Sequence, residues 1–188
     1  SDLFESEFIY NAMIKGKEYH KEKLEFEGTY LYNNKFHGKG YDKKGNISYE
    51  LINGNGKVKV YDYHNILIFE GEYLNGKENG KGKEYDEDNG NLIFEGEYSN
   101  GLRSGKGKEY HDNGNIEFEG VYSNDLRNGE GKEYDVNGKI IFEGLYNDDM
   151  RKGEGKEYYN TGELFFEGNY SNNLRNGKGK EYGATLFF

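Results

Sequence analysis

The sequence predicts an all-β chain, an elongated single-layer twisted array of stacked antiparallel β-hairpins, and three observations carry that prediction. The triplet Phe-Glu-Gly begins at Phe69, Phe94, Phe118, Phe142 and Phe166, at spacings of 25, 24, 24 and 24 residues. Self-similarity at such a period marks one supersecondary unit copied along an array. Each copy holds two short strand-like stretches separated by Asn-Gly or a related turn pair, the strongest short-range hairpin signal. Apolar residues nowhere keep the helical period for long.

Taken in chain order, Ser1 to Tyr10 matches no copy and Gly16-Lys17-Glu18-Tyr19 reads as half a unit. Residues 1–25 are therefore expected to form an N-terminal cap and partial repeat, since terminal repeats must close an otherwise open stack. Phe26-Glu27-Gly28 with Tyr30 restarts the pattern, His37-Gly38-Lys39-Gly40 continues it, and Tyr49 to Gly56 is a shortened copy, so residues 26–68 are degenerate repeats. Residues 69–182 carry the regular repeats of 24–25 residues, and 183–188 reads as a turn into a C-terminal capping strand. The whole is expected to be one continuous domain of about seven hairpins, a stack on the order of 65 Å long at ~9.6 Å per hairpin.

Within the unit that starts at Leu92, the strands are expected over Leu92 to Tyr98 and Gly105 to Tyr110. Alternation puts Phe94, Gly96 and Tyr98 on one face and Glu95 and Glu97 on the other. A turn near Gly101-Leu102 sets Tyr98 opposite Gly105 and Gly96 opposite Gly107, with Glu95 and Glu97 facing Lys108 and Lys106. Opposite charges then pair across the strands, and the glycines leave room for the rings. The same alternation places Glu109 on the aromatic face, where nothing in the sequence explains a carboxylate.

Composition restricts the alternatives. With 33% hydrophobic and 32% charged residues and a net charge of -10, hydropathy alone would suggest disorder. However, 19 Tyr and 12 Phe recur at fixed positions, and large rings bury enough area to hold a thin repetitive fold together. The absence of cysteine removes disulfides and thiolate metal sites. No apolar run approaches the ~20 residues needed to cross a bilayer, and the start carries no signal-peptide pattern. The expected location is cytoplasmic, although a start at Ser1 leaves room for an upstream segment.

Phe94-Glu95-Gly96-Glu97-Tyr98, Asn100-Gly101 and Gly105-x-Gly107 together resemble the MORN repeat: an aromatic, Glu-Gly-Glu, an aromatic, Asn-Gly and Gly-x-Gly. His37-Gly38-Lys39-Gly40 matches its His-Gly-x-Gly form. Lys132-Glu133-Tyr134, Asn137-Gly138-Lys139 and Phe142-Glu143-Gly144 are similar to the variant form of the repeat. The resemblance runs from about Met13 to Phe188. It implies an elongated sheet used as a scaffold or interaction module, in a family also associated with membrane attachment, dimerisation and cytoskeletal assemblies. The chain departs from the usual pattern in having Tyr98, Tyr122, Tyr146 and Tyr170 where the second aromatic is commonly Trp.

Candidate chemistry is sparse. Two glutamate columns recur, Glu95, Glu119, Glu143, Glu167 and Glu109, Glu133, Glu157, Glu181, but acid–base catalysis needs two unlike carboxylates at one place. Repetition in near-identical settings favours cross-strand pairing with lysine. His20, His37, His64 and His111 lack ligand spacing, Asp86-Glu87-Asp88-Asn89-Gly90 lacks the order of a calcium loop, and the Gly-Lys-Gly elements lack the P-loop pattern. No nucleophile sits in an elbow motif. The expectation is a non-enzyme with no catalytic residue, metal or cofactor.

Two periodic columns remain as binding candidates. Tyr98, Tyr122, Tyr146 and Tyr170 either line a partner-binding groove or are used wholly in packing. Arg103, Arg127, Arg151 and Arg175 either form a basic edge or pair with neighbouring acids. The expected function is non-enzymatic protein–protein interaction or scaffolding. The alternatives are a membrane-surface adaptor for anionic phospholipid or an accessory region of a larger enzyme. A protein partner is expected, homodimerisation is allowed, and the acidic total disfavours nucleic acid and leaves membrane binding weak or absent.

Overall fold

In the computed structural model, which describes residues 3–9, 13–62 and 64–183, the chain consists of β-strands joined by turns. The first half supplies β1 (Leu3–Ile9), β2 (Met13–His20), β3 (Lys23–Leu31), β4 (Asn34–Tyr41), β5 (Ile47–Leu51), β6 (Gly56–Tyr61), β7 (Leu67–Leu74) and β8 (Lys77–Tyr85). The second supplies β9 (Leu92–Ser99), β10 (Leu102–Tyr110), β11 (Ile116–Ser123), β12 (Leu126–Tyr134), β13 (Ile140–Asn147), β14 (Met150–Tyr158), β15 (Leu164–Ser171) and β16 (Leu174–Glu181). Hydrogen bonding sorts them into a five-stranded sheet, β1 to β5, and an eleven-stranded sheet, β6 to β16, each strand beside its neighbour in the chain. In neither sheet do the first and last strands pair to close a barrel. The capping strand expected over 183–188 lies outside the described residues apart from Gly183, as do Ser1, Asp2 and residues 10–12 of the expected N-terminal cap.

The chain divides into two compact units, Ser1–Leu92 with Tyr98–Gly101, and Ile93–Glu97 with Leu102–Phe188. In the second unit the turns take positive φ at both central residues: 52° and 69° at Asn124 and Asp125, 51° and 64° at Asp148 and Asp149. That is the type I′ geometry whose twist matches the flanking strands, and Asn and Asp tolerate it better than most residues.

The hairpin register departs from the sequence expectation at the tip. Ser123 faces Leu126 and Tyr122 faces Arg127, after which a bulge brings Gly120 opposite Gly131 and Glu119 opposite Lys132. The tyrosine meets its expected glycine in the preceding hairpin instead: Gly105 faces Tyr122, Gly129 faces Tyr146 and Gly153 faces Tyr170. The two-residue turn fixes the register at the tip, and the bulge takes up the extra residues between Arg127 and Gly131.

Close approach explains the paired glycines further along. A Cβ on Gly155 would stand 2.6 Å from Phe142 Cζ, and one on Gly144 would stand 2.9 Å from the Gly155 Cα. The Phe142 ring lies against this strip of glycine backbone, and Phe94, Phe118 and Phe142 are 0% exposed.

In the first unit the worn repeats keep this plan with substitutes. Phe26 and Tyr30 are buried as an edge-to-face pair 5.3 Å apart. Leu51 is buried opposite Gly38, and Val58, opposite Gly71, stands where the regular repeats have a second glycine, as Gly107 opposite Gly120. The shortened copy is where the sheet breaks: β5 and β6 meet through the single bridge Ile52–Asn55. Among the described residues no helix is long and apolar enough to cross a membrane.

Candidate interaction surface

In the second unit, Phe and Tyr alternate along one face as an edge-to-face zipper. Tyr122 stands 5.1 Å from Phe94 and 5.7 Å from Phe118; Tyr146 stands 5.1 Å from Phe118 and 5.8 Å from Phe142. Tyr170 continues the row at 5.2 Å from Phe142 and 5.8 Å from Phe166. Such T-shaped pairs place a positive ring edge on a negative face and contribute about 0.5–1.5 kcal/mol each beyond area burial. Tyr98, in the first unit, meets Phe69 in the same way at 5.5 Å.

Each phenylalanine is then covered by an arginine. The guanidinium carbons of Arg103, Arg127, Arg151 and Arg175 lie 4.2, 4.2, 4.1 and 4.1 Å from the centroids of Phe94, Phe118, Phe142 and Phe166. Each arginine is held by a carboxylate of the second glutamate column. Arg151 donates to Glu133 from Nε at 3.0 Å and Nη2 at 2.5 Å, and Arg175 engages Glu157 in the same fashion at 3.2 and 2.5 Å. Arg127 pairs with Glu109, which also lies 3.6 Å from Arg103. Glu133 and Glu157 also accept tyrosine hydroxyls, at 2.5 Å from Tyr146 and 2.6 Å from Tyr170.

This arrangement accounts for the carboxylate that alternation places on the aromatic face. Burial by itself would raise Glu133, but hydrogen bonds from Arg151 and Tyr146 outweigh it and hold its carboxyl below the usual range. Glu157 is likewise lowered, first by Arg175. Burial, with Glu133 or Glu157 alongside, pushes the Tyr146 and Tyr170 phenols far above their ordinary value.

Of the two readings of the tyrosine column, packing is how the structure uses the rings: Tyr98, Tyr122, Tyr146 and Tyr170 are all buried. Of the two readings of the arginine column, pairing with acidic neighbours is the arrangement found. Arg103, Arg127 and Arg151 lie half-buried between a ring and a carboxylate, and Arg175 makes the same contacts on the exposed strand β16.

The opposite face carries the first glutamate column. Glu95, Glu119 and Glu143 accept hydrogen bonds at 2.6 Å from Tyr110, Tyr134 and Tyr158. Lys108 stands 3.8 Å from Glu119, and Lys132 and Lys156 stand 3.7 and 3.4 Å from Glu143. Burial and the bond to Glu119 push the Tyr134 phenol up to about 12. The two glutamate columns therefore face opposite sides of one sheet.

Successive hairpin tips are fastened by reciprocal bonds. Asp125 N–H donates to the Arg103 carbonyl at 3.1 Å while its carboxylate accepts from the Arg103 N–H at 2.7 Å. Asp149 does the same to Arg127 at 3.0 and 2.7 Å, and Asn173 to Arg151 at 3.2 and 2.7 Å. Asp149→Ala should lose the side-chain half of this clasp and strain a backbone at φ 64°. We expect a cost of about 1–2 kcal/mol in denaturant unfolding, with Asp149→Asn close to the parent.

The clasp leaves one apolar residue standing outward after each turn. Leu102, Leu126, Met150 and Leu174 are 38, 37, 38 and 71% exposed and recur at the 24-residue period. The row was readable in the sequence as the residue following each turn pair; attention to the aromatic and arginine columns passes over it.

The sequence model of a family described as "MORN repeat" matches the chain at residues 69–90, 94–116, 118–140, 142–163 and 166–185. Among curated proteins, none matches it.

Proposed function

The chain belongs to the MORN-repeat family, whose members serve generally as protein or membrane interaction modules, and on that premise we propose that it is a non-enzymatic protein-interaction module that binds along its hairpin tips. One observation supports this above the others: the row Leu102, Leu126, Met150 and Leu174 keeps four apolar side chains exposed at the repeat period. The aromatic face, in contrast, offers its rings no free surface.

The chemistry of the row specifies its partner. Tips two strands apart are separated by ~9.6 Å, and an α-helix returns the same face every seven residues, about 10.5 Å. Asp125, Asp148 and Asp149 flank the apolar residues, and the chain as a whole carries a charge of -10. The partner is accordingly a basic amphipathic helix with an apolar residue at every seventh position, laid along the tips. The arginines, already paired, leave an anionic membrane little to bind, so the membrane-adaptor reading is not favoured.

Changing Leu126, Met150 and Leu174 together to Ser tests the proposal by quantitative affinity purification from the native source. Because these side chains project from the tips, the variant should unfold like the parent. It should lose at least nine-tenths of whatever protein the parent captures, whereas a variant that captures the same protein equally well would refute the assignment.

A further inference from the structure

We propose that the open face of the second unit binds an uncharged β-linked polysaccharide, laid across the strands over a line of tyrosines. Tyr110, Tyr134, Tyr158 and Tyr182 recur there at the 24-residue period. Their hydroxyls donate to Glu95, Glu119, Glu143 and Glu167 at 2.6, 2.6, 2.6 and 2.7 Å.

The register fixes how each ring lies. Glu119 faces Lys132 and Glu143 faces Lys156, whereas Tyr134 and Tyr158 stand two residues further along those strands. Each hydroxyl therefore reaches a diagonal neighbour on the adjoining strand, a separation of about 7–8 Å that a ring spans by lying along the sheet. Tyr110, Tyr134 and Tyr158 are half-buried and Tyr182 is 36% exposed, which fits rings with one face on the strands and the other outward. The bond to glutamate holds each ring in place before a ligand arrives, and successive rings, two strands apart, are separated by ~9.6 Å.

A second line runs beside the rings. Lys108 faces Glu119, Glu119 faces Lys132, Lys132 faces Glu143 and Glu143 faces Lys156, so ammonium and carboxylate alternate strand by strand. The pairing is loose, at 3.8 Å for Lys108 with Glu119 and 3.7 Å for Lys132 with Glu143, and the Lys132 and Lys156 side chains stay 48 and 47% exposed. Exposed pairs of this kind are weak and yield to other partners at little cost. Each ammonium has donors and each carboxylate acceptor sites left over.

Together the two lines specify the ligand. An extended β-linked hexose chain turns the same ring face outward at every second sugar, a repeat close to the tyrosine spacing. Alternate sugars lay an apolar C–H face on a tyrosine, and the hydroxyls along the chain's edge, each both donor and acceptor, meet lysine and glutamate in turn. A ladder of alternating sign gives neither a polyanion nor a polycation a field to follow. A proline-rich segment repeats at about 9.3 Å, but proline lacks an N–H, so such a backbone offers acceptors and leaves the glutamates unmet.

The test is calorimetric titration of the full chain with cellobiose, cellotetraose and cellohexaose, with amide NMR shifts to locate the binding. Affinity should rise at least threefold with each added disaccharide, and the shifts should centre on Tyr134, Tyr158, Lys132 and Lys156. Maltohexaose, whose α-linked chain coils, should bind at least tenfold more weakly than cellohexaose. Tyr134→Ala with Tyr158→Ala should weaken cellohexaose at least tenfold. Lys132→Ala with Lys156→Ala, at exposed positions that leave the fold in place, should weaken it at least threefold, and Leu126→Ser, at a hairpin tip, should leave it unchanged. No saturable binding of cellohexaose, affinity independent of chain length, equal affinity for maltohexaose, or affinity that both double variants keep would overturn the proposal. So would decaproline binding at the same residues more tightly than cellohexaose, which would assign the face to a protein ligand.

Discussion

Replacing Phe142 by Ala is expected to destabilise the chain by about 3–5 kcal/mol, the typical cost of deleting a fully buried ring. Phe142 is 0% exposed and touches more than its own repeat: Tyr146 and Tyr170 meet its faces and edge, and Arg151 covers it. Loss of the ring removes the support of all three at once, and in a repeat array stability passes through such neighbour contacts. Chemical denaturation of the parent and variant measures the loss. Gly155→Ala approaches the same ring from the other side, and its added methyl should cost about 1–3 kcal/mol by overpacking. Because both changes act on one contact, Phe142→Leu with Gly155→Ala should be less damaging than the two single effects added together. Strict additivity would mean that the glycine is not there to admit the ring.

The second large effect is at Glu133. Substitution by Ala should cost about 3 kcal/mol, because the half-buried Arg151 guanidinium and the Tyr146 hydroxyl would both lose the carboxylate that satisfies them. Removing the arginine as well, in Glu133→Leu with Arg151→Met, should recover much of this, since a packed apolar pair needs no neutralisation. The pH dependence carries the same signature. The carboxyl of Glu133 is held below its usual range in the folded chain, so its contribution is fully present above the unfolded value near ~4.3. It disappears as pH falls through the lowered folded value. The stability gap between parent and Glu133→Gln should therefore be constant at neutral pH and close in acid; a gap that widens there would contradict the ion-pair account.

Much of this was legible in the sequence because the repeat writes each structural role several times. Phe94 and Tyr98 share a buried face as alternation requires, and Lys156 at 3.4 Å from Glu143 is a cross-strand charge pair of the kind expected of Glu95 and Lys108, whereas the bulge leaves the position equivalent to Glu97 out of the ladder. The tip register was not legible, because whether a turn centres on Asn100-Gly101 or one residue later depends on a backbone geometry that Asn-Gly permits either way. Asp125 and Asp149 at positive φ decide it, through the clasp they make to the preceding arginine backbone. Within a single hairpin nothing accounts for Glu109 on the aromatic face. Its partner Arg127 belongs to the next repeat, and period-two reasoning within a hairpin contains no term for that contact. The breakdown at Ile52 and Asn55 is visible in the sequence as a shortened copy.

Partners are expected to meet the hairpin tips, with the aromatic face kept as internal structure. Photo-crosslinking in the native source tests this most directly, with benzoylphenylalanine placed singly at Leu126, at Met150 and, on the open face, at Lys156. Each site is on the surface, so the three proteins should fold alike. The probes at 126 and 150 should trap one common protein, joined through a basic amphipathic segment, while the probe at 156 should trap little of it. Strong capture of that protein from 156, with none from either tip position, would contradict this.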